Sequence, residues 1–336
     1  MLMVIFGAGA SYDSCPSFPP DRLPRQDFAL RPPLAKELFL PLPQFRGRSS
    51  QFGGRFQPLL SYLETQHDIE TVLEGFREEA EHDEERRRQL WAIRYYLRDI
   101  VQDCENAWMG HANQFSCYKT LLDQIRPCPR VCFVTFNYDT LIERALKALD
   151  VPLGSMTDYV SHAKYSLMKL HGSIDWQFWL RKVTTSLRLN EQPQEVDLIR
   201  AAPMVSDSEI IEIKGIQPPQ AMHEIMFFAP ALAVPTVSKH TFVCPQKHVD
   251  ELRRLIPQIR KIAIVGWRAA EQHFLNLLAT GLKDPVQIIA ACGSTDEAEA
   301  TLGRLRAAGI KGNFQAAPGG FTDFVVNRRI EPLLAS

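Results

Sequence analysis

The chain begins with the stretch Met-Leu-Met-Val-Ile-Phe-Gly-Ala-Gly-Ala-Ser, residues 1–11. Its first six residues are apolar and glycine follows at once, which is the order of a buried strand that enters a tight turn. A glycine-rich turn between a strand and a helix is typical of the first unit of a doubly wound α/β sheet. Here Gly7, Ala8 and Gly9 let the backbone approach a pyrophosphate closely, and the hydroxyl of Ser11 adds a donor. A tight turn requires glycines even without a ligand, so the motif by itself does not establish phosphate binding. Residues at the ends of other strands must support it.

Four further apolar runs predict strands, and a polar residue or a glycine follows each of them within two positions. They are residues 130–136, 166–170, 261–265 and 286–291. Residues at helical spacing follow three of these runs, at 141–149, 274–282 and 296–308. Strands that alternate with helices favour a parallel sheet, whose binding crevice lies at the carboxyl ends of the strands. We therefore predict an α/β fold: a Rossmann-like, doubly wound, mainly parallel sheet with a helical insertion subdomain.

The segments between these units predict one domain of 336 residues with two insertions. We place the Rossmann-like core at about residues 1–11, 126–173 and 236–330, and helical or irregular insertions at about 12–125 and 174–235. Eight prolines in residues 16–43 exclude a long helix there. Apolar residues spaced by three and four predict amphipathic helices between residues 68 and 104.

The charge of the chain excludes several classes of partner. A formal net charge of -1 and a pI near 6.8 leave no basic field to hold nucleic acid or an anionic membrane. The charged run at residues 78–88 mixes acids and bases, which is typical of a solvated helix face. The apolar runs are shorter than the roughly 20 residues of a membrane span, and the first stops too early for a signal peptide. We predict no direct contact with nucleic acid or membrane.

The cysteines form an odd, scattered set of seven without a Cys-x-x-Cys pair. This pattern favours a reducing compartment, so we predict a cytoplasmic protein. It also argues against a thiolate zinc site, and no metal is expected.

Two strand ends carry the candidate catalytic side chains. Asn137 and Asp139 follow the second predicted strand, where an amide and a carboxylate two residues apart can both face the crevice. Asp139 is equally explained as a cap of the following helix. His171 follows the third strand, with Gly172 permitting a tight turn beside a titratable imidazole.

Taken in order, these motifs resemble the sirtuin family. The closer resemblance is to the sirtuin-like NAD hydrolases of bacterial anti-phage defence, in which Thr-Phe-Asn-Tyr-Asp, here residues 135–139, is a usual form of the central motif. Further shared features are Pro-Leu-x-x-x-Leu at 33–38, an acidic-hydrophobic helix at 68–73, Pro-Thr-x-x-Lys at 235–239 and the ending at 319–325.

The resemblance implies roles for individual residues. Gly7, Gly9 and Ser11 would hold the pyrophosphate, and Asn137 and Asp139 would face the nicotinamide ribose and carboxamide. His171 would be the catalytic base or a group that orients the ribose. The remaining cofactor-binding positions implied are Ala8, Gly266, Arg268 and Gly293. Arg268 replaces the family's usual hydroxyl residue, and we expect it either to pair with phosphate or ribose oxygens or to point to solvent.

The resemblance also implies an activity. We expect an NAD+ glycohydrolase that uses NAD+ as substrate and releases nicotinamide and ADP-ribose as a regulated effector of anti-phage defence. Regulation would come from a homo-oligomer or from a partner defence protein such as a helicase-like ATPase or a short Argonaute. Alternatives are a protein deacylase, an ADP-ribosyltransferase, a non-catalytic module that binds NAD or ADP-ribose, and a plain α/β scaffold. Only Cys244 and Cys292 follow His171, so the four-cysteine zinc module of deacylase sirtuins is missing.

Overall fold

The structure is a computed structural model, and the residues it describes are 1–20, 31–40, 42–52, 56–65, 68–112, 116–180, 199–202, 210–215, 227–236 and 242–335. Its strands are β1 Leu2–Phe6, β2 Val131–Thr135, β3 Tyr165–Lys169, β4 Gly172–Leu180, β5 Ile210–Gly215, β6 Phe227–Leu232, β7 Lys261–Val265, β8 Val286–Cys292 and β9 Gly312–Pro318.

Its α-helices are α1 Ala8–Tyr12, α2 Pro43–Ser49, α3 Phe56–Leu63, α4 Ile69–Glu79, α5 Glu84–Ala112, α6 Cys117–Gln124, α7 Leu141–Lys147, α8 Asp158–Ser161, α9 Gln246–Leu255, α10 Gln272–Gly281, α11 Thr295–Ala307, α12 Gly320–Val326 and α13 Glu331–Leu334. Within the described ranges, no helix is both long and apolar enough to span a membrane.

Six strands form a parallel sheet in the order β3-β2-β1-β7-β8-β9. From β1 the chain builds outward through β2 and β3 on one side, then crosses to β7 and builds outward through β8 and β9. This order is Rossmann-like, and the predicted fold class is confirmed. The order reverses between β1 and β7, and such a switch point opens a crevice at the carboxyl ends of the two strands.

The central strands β1 and β2 are mostly apolar because both faces of the sheet are covered. All five residues of β1, β2 and β3 are buried, and in register Val4 lies between Phe133 and Ala263. Each fully buried side chain of this size contributes about 1.5–3 kcal/mol. The edge strand β9 alternates between exposed and half-buried residues and was not among the predicted strands.

The described residues of the first insertion are mostly helical. α4 and α5 follow the apolar spacing of the sequence, and α5 packs against α2, α3 and α4 and against β4 and β6. Two side chains of α5 bond to described residues that precede α2. Tyr96 donates to the carbonyl oxygen of Leu38 at 2.8 Å, and Trp108 Nε1 donates to Ser14 Oγ at 2.7 Å.

The second insertion corrects the prediction. Its described part is an antiparallel sheet in the order β5-β4-β6, so helical or irregular structure at 174–235 is wrong for these strands. The physical reason is visible in β4, where Ile174, Trp176 and Phe178 are buried and the residues between them are half-buried. A period of two is the pattern of a strand. Residues 181–198, 203–209 and 216–226 lie outside the described residues.

Candidate functional site

A cavity of about 980 Å³ lies at the carboxyl edge of the parallel sheet, over the switch point between β1 and β7. Its size is at the upper end of the roughly 300–1,000 Å³ typical of small-molecule sites. All the predicted site residues line it: Gly7, Ala8, Gly9, Ser11, Asn137, Asp139, His171, Gly266, Arg268 and Gly293. The first insertion contributes further walls through Leu34, Glu70 and Val101.

The glycines of the first loop lie against the turn after β7. A Cβ on Gly7 would be 2.6 Å from the carbonyl oxygen of Gly266, and a Cβ on Gly9 would be 2.8 Å from Gly266 Cα. Gly266 itself has φ +61°, and a Cβ there would be 2.3 Å from Ala10 N. The close approach of two backbones therefore requires glycine at all three positions.

Most amides of this loop bond within the protein. Gly7 N donates to Val265 O at 3.0 Å, and Gly9 N donates to Gly266 O at 3.1 Å. Ala8 is the first residue of α1, where a backbone N–H has no acceptor inside its own helix. Phosphate binding by Gly7 and Gly9 stays a prediction, and the amide of Ala8 is the donor best placed for it.

Ser11 is the centre of a buried hydrogen-bond network. Its Oγ donates to Asp139 Oδ2 at 2.6 Å and accepts from Asn137 Nδ2 at 2.9 Å, and the Tyr118 hydroxyl lies 3.0 Å away. The Ser11 hydroxyl was predicted to hold pyrophosphate, and in the structure its proton is directed at Asp139. Tyr118 was missed by sequence reasoning because α6 lies far from Ser11 in the chain.

Asn137 is 7% exposed and presents its amide carbonyl as an available acceptor. Nδ2 bonds to Ser11, whereas Oδ1 has no hydrogen-bond partner among the described residues. An unsatisfied buried polar atom costs about 1–3 kcal/mol, so such atoms are commonly reserved for a ligand or water. The predicted amide therefore lines the crevice with an acceptor available for a bound molecule.

Asp139 accepts a hydrogen bond at the start of α7, as the capping alternative predicted, and its role toward a ligand stays a prediction. Oδ2 accepts from Ser11, and Oδ1 accepts from Leu141 N at 3.2 Å at the start of α7. Burial raises the pKa of this carboxyl, and the nearby Lys169 ammonium opposes that rise. Glu105, another residue missed by sequence reasoning, accepts from the amide and hydroxyl of Thr140 at 2.6 and 2.7 Å.

A buried ion pair supports the Asn137–Asp139 loop from behind. Lys169, at the end of β3, donates to the backbone carbonyl of Asp139 and lies 2.7 Å from Glu143 Oε1. Burial raises the pKa of Glu143 to about 7, while Lys169 lowers it and Asp175 raises it further. The pair holds the loop in place without reaching the cavity.

His171 lies in the turn between β3 and β4 and is 2% exposed. The turn is possible because Gly172 has φ +82°, and a Cβ there would be 1.8 Å from Ala231 O. His171 Nε2 lies 3.9 Å from Glu271 Oε1. The Phe136 ring meets the imidazole edge to face at 4.8 Å.

Glu271 is a site residue that sequence reasoning missed. Its Oε2 accepts from Trp267 Nε1 at 2.5 Å, and it lines the cavity beside His171. An acidic residue shortly after the glycine that follows β7 was the available signal. The direction of its side chain is decided by packing that a linear sequence does not display.

Arg268 lies mostly in solvent and is paired with an acidic side chain, and its pairing with a phosphate or ribose oxygen stays a prediction. Its side chain is 67% exposed, and Nη2 lies 3.1 Å from Glu70 Oε1 on α4. It therefore joins the sheet to the first insertion at the wall of the cavity. Gly293, at the end of β8, has Glu297 so close that a Cβ would be 2.9 Å from Oε2.

The C-terminal ending also reaches the cavity. Gly319 and Gly320 precede or begin α12, and Asp13 accepts from Thr322 N at 2.9 Å and from Thr322 Oγ1 at 2.6 Å. Burial raises the pKa of Asp13, and these hydrogen bonds oppose the rise. The feature predicted at residues 319–325 is thus bonded to the end of the glycine loop.

Solved structures similar to this chain include Sir2 proteins. Sir2Tm bound to a propionylated peptide is 14% identical, with 100% of this chain and 94% of that chain covered and a TM-score of 0.37. A mutant Sir2 homologue with 2′-O-acetyl-ADP-ribose is 16% identical, with 100% and 93% covered and a TM-score of 0.42. Sir2 with a p53 peptide and NAD+ is 13% identical, with 100% and 94% covered and a TM-score of 0.37.

No protein-family model and no curated protein matches the chain. Similarity at these identities and TM-scores supports no assignment of activity. The fold therefore rests on the strand order, and the site rests on its own geometry.

Two predicted features concern the region after β6. The motif at 235–239 is described only as far as Thr236, because residues 237–241 lie outside the described residues. Cys244 and Cys292 are both buried free thiols, and burial raises the pKa of each. Among the residues that the structure describes, no group of three or more side chains is arranged to hold a metal ion.

Proposed function

We propose that this protein is an NAD+ hydrolase that breaks the bond between nicotinamide and ribose. The observation that carries the proposal is the convergence of three features in one cavity: the glycine loop, the buried acceptor of Asn137 and the imidazole of His171. Parallel strands bring these residues together, although more than 160 positions separate the first from the last.

Cleavage of this bond does not require a strong general acid. Nicotinamide leaves NAD+ as a neutral molecule, so the protein must stabilise an oxocarbenium-like ribose and position a nucleophile. The electron pair of the C–N bond goes to the nicotinamide nitrogen, and a water oxygen forms the new bond to C1′. The water proton passes to His171 and then to solvent, which balances the products nicotinamide, ADP-ribose and H+.

Asn137 has the geometry for the first of these tasks. Its Oδ1 offers a buried dipole for a ribose hydroxyl or for the attacking water, and the bond from Nδ2 to Ser11 fixes the amide. Preorganised dipoles of this kind cost no reorganisation when charge develops. We assign Asp139 to holding Ser11, and through it the amide, in this orientation.

The other end of NAD+ would lie along the turns after β1, β7 and β8. The amide of Ala8 and the glycine turns at Gly266 and Gly293, which line the cavity without a side chain, suit a pyrophosphate and the adenosine ribose. Arg268 would have to leave Glu70 to reach a phosphate. We propose that binding at this end depends mainly on backbone groups.

The resemblance further leads us to propose that the hydrolase is restrained until it is needed. Free NAD+ hydrolysis would deplete the protein's own cell, so activity would depend on self-association or on a partner such as a helicase-like ATPase or a short Argonaute in the cytoplasm. Full turnover by a dilute monomer without any partner would contradict this part of the proposal.

Product analysis in H₂¹⁸O tests the activity. Purified protein, across a range of concentrations, is incubated with NAD+ in labelled water, with and without an acetyl-lysine peptide. The hydrolase predicts nicotinamide and ADP-ribose with one ¹⁸O at C1′, whether or not the peptide is present. O-acyl-ADP-ribose or modified protein would indicate a deacylase or transferase, and thermal stabilisation by NAD+ without products would indicate a binding module.

A further inference from the structure

Glu271 occupies a helix-cap position but does not use its side chain as a cap. It is the N-cap residue of α10, where a carboxylate usually accepts from an amide of the first turn. No such bond is made here, although its backbone carbonyl accepts from Phe274 and Leu275. The carboxylate is turned inward, toward Trp267 and His171.

The inward direction takes the carboxylate out of water. The Glu271 side chain is about 9% exposed, and removing a carboxylate from water costs several kcal/mol unless hydrogen bonds and an opposite charge offset it. Trp267 Nε1 supplies one hydrogen bond at 2.5 Å. The imidazole of His171, 3.9 Å away, is a group that becomes positive when it accepts a proton.

Aromatic packing fixes both partners. The Trp267 ring stacks on Phe136 with centroids 5.2 Å apart and planes 8° apart, and Phe136 meets His171 at 4.8 Å. Phe274, from the first turn of α10, meets both Phe136 and Trp267 edge to face. The distance between carboxylate and imidazole is therefore set by a rigid cluster.

We propose that Glu271 is a positioning residue that acts through His171. Its carboxylate orients the imidazole, fixes which ring nitrogen carries the proton and stabilises the imidazolium formed when His171 accepts a proton. A carboxylate plays this part toward histidine in catalytic triads. The role in turnover rests on the proposed function, whereas the coupling between the two side chains does not.

Other titratable groups surround His171 and set the background for a titration. Tyr138 lies 6.5 Å from the imidazole, and Asp139 follows it in the same loop. Glu70 on α4 lines the same cavity and is paired with Arg268, and His273 follows Glu271 on α10. A carboxylate beside an imidazole favours its charged form, so neutralising Glu271 alone lowers the pKa of His171.

The test is an NMR titration of ¹⁵N-labelled histidine in the full-length protein without NAD+, with His171 assigned from the signal lost in His171→Asn. Glu271→Gln keeps an acceptor for Trp267 and removes the charge. We expect it to lower the pKa of His171 by about one unit or more. Asp323→Asn, which neutralises another carboxylate of the cavity wall, is the matched control and leaves that pKa unchanged.

Turnover completes the test. With NAD+, Glu271→Gln lowers kcat about 10- to 100-fold and changes KM little. A loss of this size is usual when the group that orients a functional histidine is removed. Glu271→Asp, which keeps the carboxylate, restores part of the lost kcat. An unchanged His171 pKa in Glu271→Gln overturns the proposal, as does a lowered pKa with unchanged kcat. If the wild type releases no nicotinamide at any protein concentration or with any partner tested, the proposed function fails and the titration alone decides the coupling.

Discussion

In the half of the crevice formed by β2 and β3, Asn137, Asp139 and His171 are each at most 7% exposed. In the half formed by β7 and β8, the Arg268 side chain is 67% exposed and the turns are closed by glycine. The first half offers side chains held by buried partners, and the second, apart from Trp267 and Glu271, offers mainly backbone. The contrast is the one expected if bond cleavage belongs to the first half and ligand binding to the second.

The difference shows how one sheet edge can separate two tasks. Stabilising a developing charge requires dipoles that are already oriented, and the buried network around Ser11 provides them. Holding a long ligand requires close backbone approach and tolerates exposed side chains. The halves should therefore respond differently to substitution.

The largest effect is expected in the first half, from His171→Ala. Loss of a general base costs about 10²- to 10⁴-fold in rate, so kcat for nicotinamide release should fall by that factor while NAD+ still stabilises the protein thermally. Stopped assays of nicotinamide release and thermal unfolding with NAD+ check the two parts. A variant with wild-type kcat would remove His171 from the mechanism.

The second effect concerns the contact between the turn after β1 and the turn after β7, where the two halves meet. Gly266→Ala places a Cβ 2.3 Å from Ala10 N at a φ of +61°, so we expect a loss of roughly 1–3 kcal/mol in the free energy of unfolding. The control is Gly303→Ala in α11, where a Cβ meets nothing within 4 Å. Alanine there should stabilise the helix by about 0.5–1 kcal/mol. Denaturant unfolding measures the free energy of unfolding of both variants. Equal changes in the two would contradict the close packing of the turn after β1 against the turn after β7.

The third effect is a pH dependence of stability that comes from Glu143, behind the loop of the first half. Because the pKa of Glu143 is about 7 in the folded protein and ordinarily 4.5, the folded state keeps a proton that the unfolded state releases between these values. The contribution of Glu143 to the free energy of unfolding is thus present below pH 4.5 and is lost as the pH rises to 7. Glu143→Gln should flatten this slope in denaturant melts at several pH values. An unchanged slope would show that the side chain titrates normally.

The smallest effect is expected from Arg268→Ala in the second half. Its ion pair with Glu70 is exposed, and such pairs contribute about 0.2–1 kcal/mol. We expect KM for NAD+ to change by less than about fivefold, with kcat unchanged. Arg306→Ala, another exposed ion-paired arginine, is the control. A rise in KM of tenfold or more would show that Arg268 leaves Glu70 to bind the ligand.

Much of the sheet could be predicted because its strands carry unambiguous local signals. The apolar run before Gly7 and the polar residues after β2 and β3 mark buried parallel strands, and parallel strands end at one edge. β9 was not predicted because it lies at the edge of the sheet and most of its residues are exposed or half-buried. It therefore lacks the continuous apolar run that marks the buried strands. β4 was misassigned to an irregular insertion although Ile174, Trp176 and Phe178 alternate with more exposed residues.

The site could be predicted only where its residues follow strands. Asn137 and His171 were found in this way. Glu271, Tyr118 and Glu105 reach the cavity or its network from helices and loops, and their direction depends on tertiary packing. The same packing directs the Ser11 hydroxyl to Asp139, which no spacing in the sequence displays.

The most direct test of the central claim is the rate of nicotinamide release by wild type and Asn137→Ala at saturating NAD+, with binding measured in parallel by calorimetry. Removing a single preorganised group that stabilises the transition state costs about 10²- to 10³-fold in kcat. We expect Asn137→Ala to lose kcat by this factor and to retain most of its affinity for NAD+. Equal kcat in the two proteins, under conditions in which the wild type is active, would contradict it.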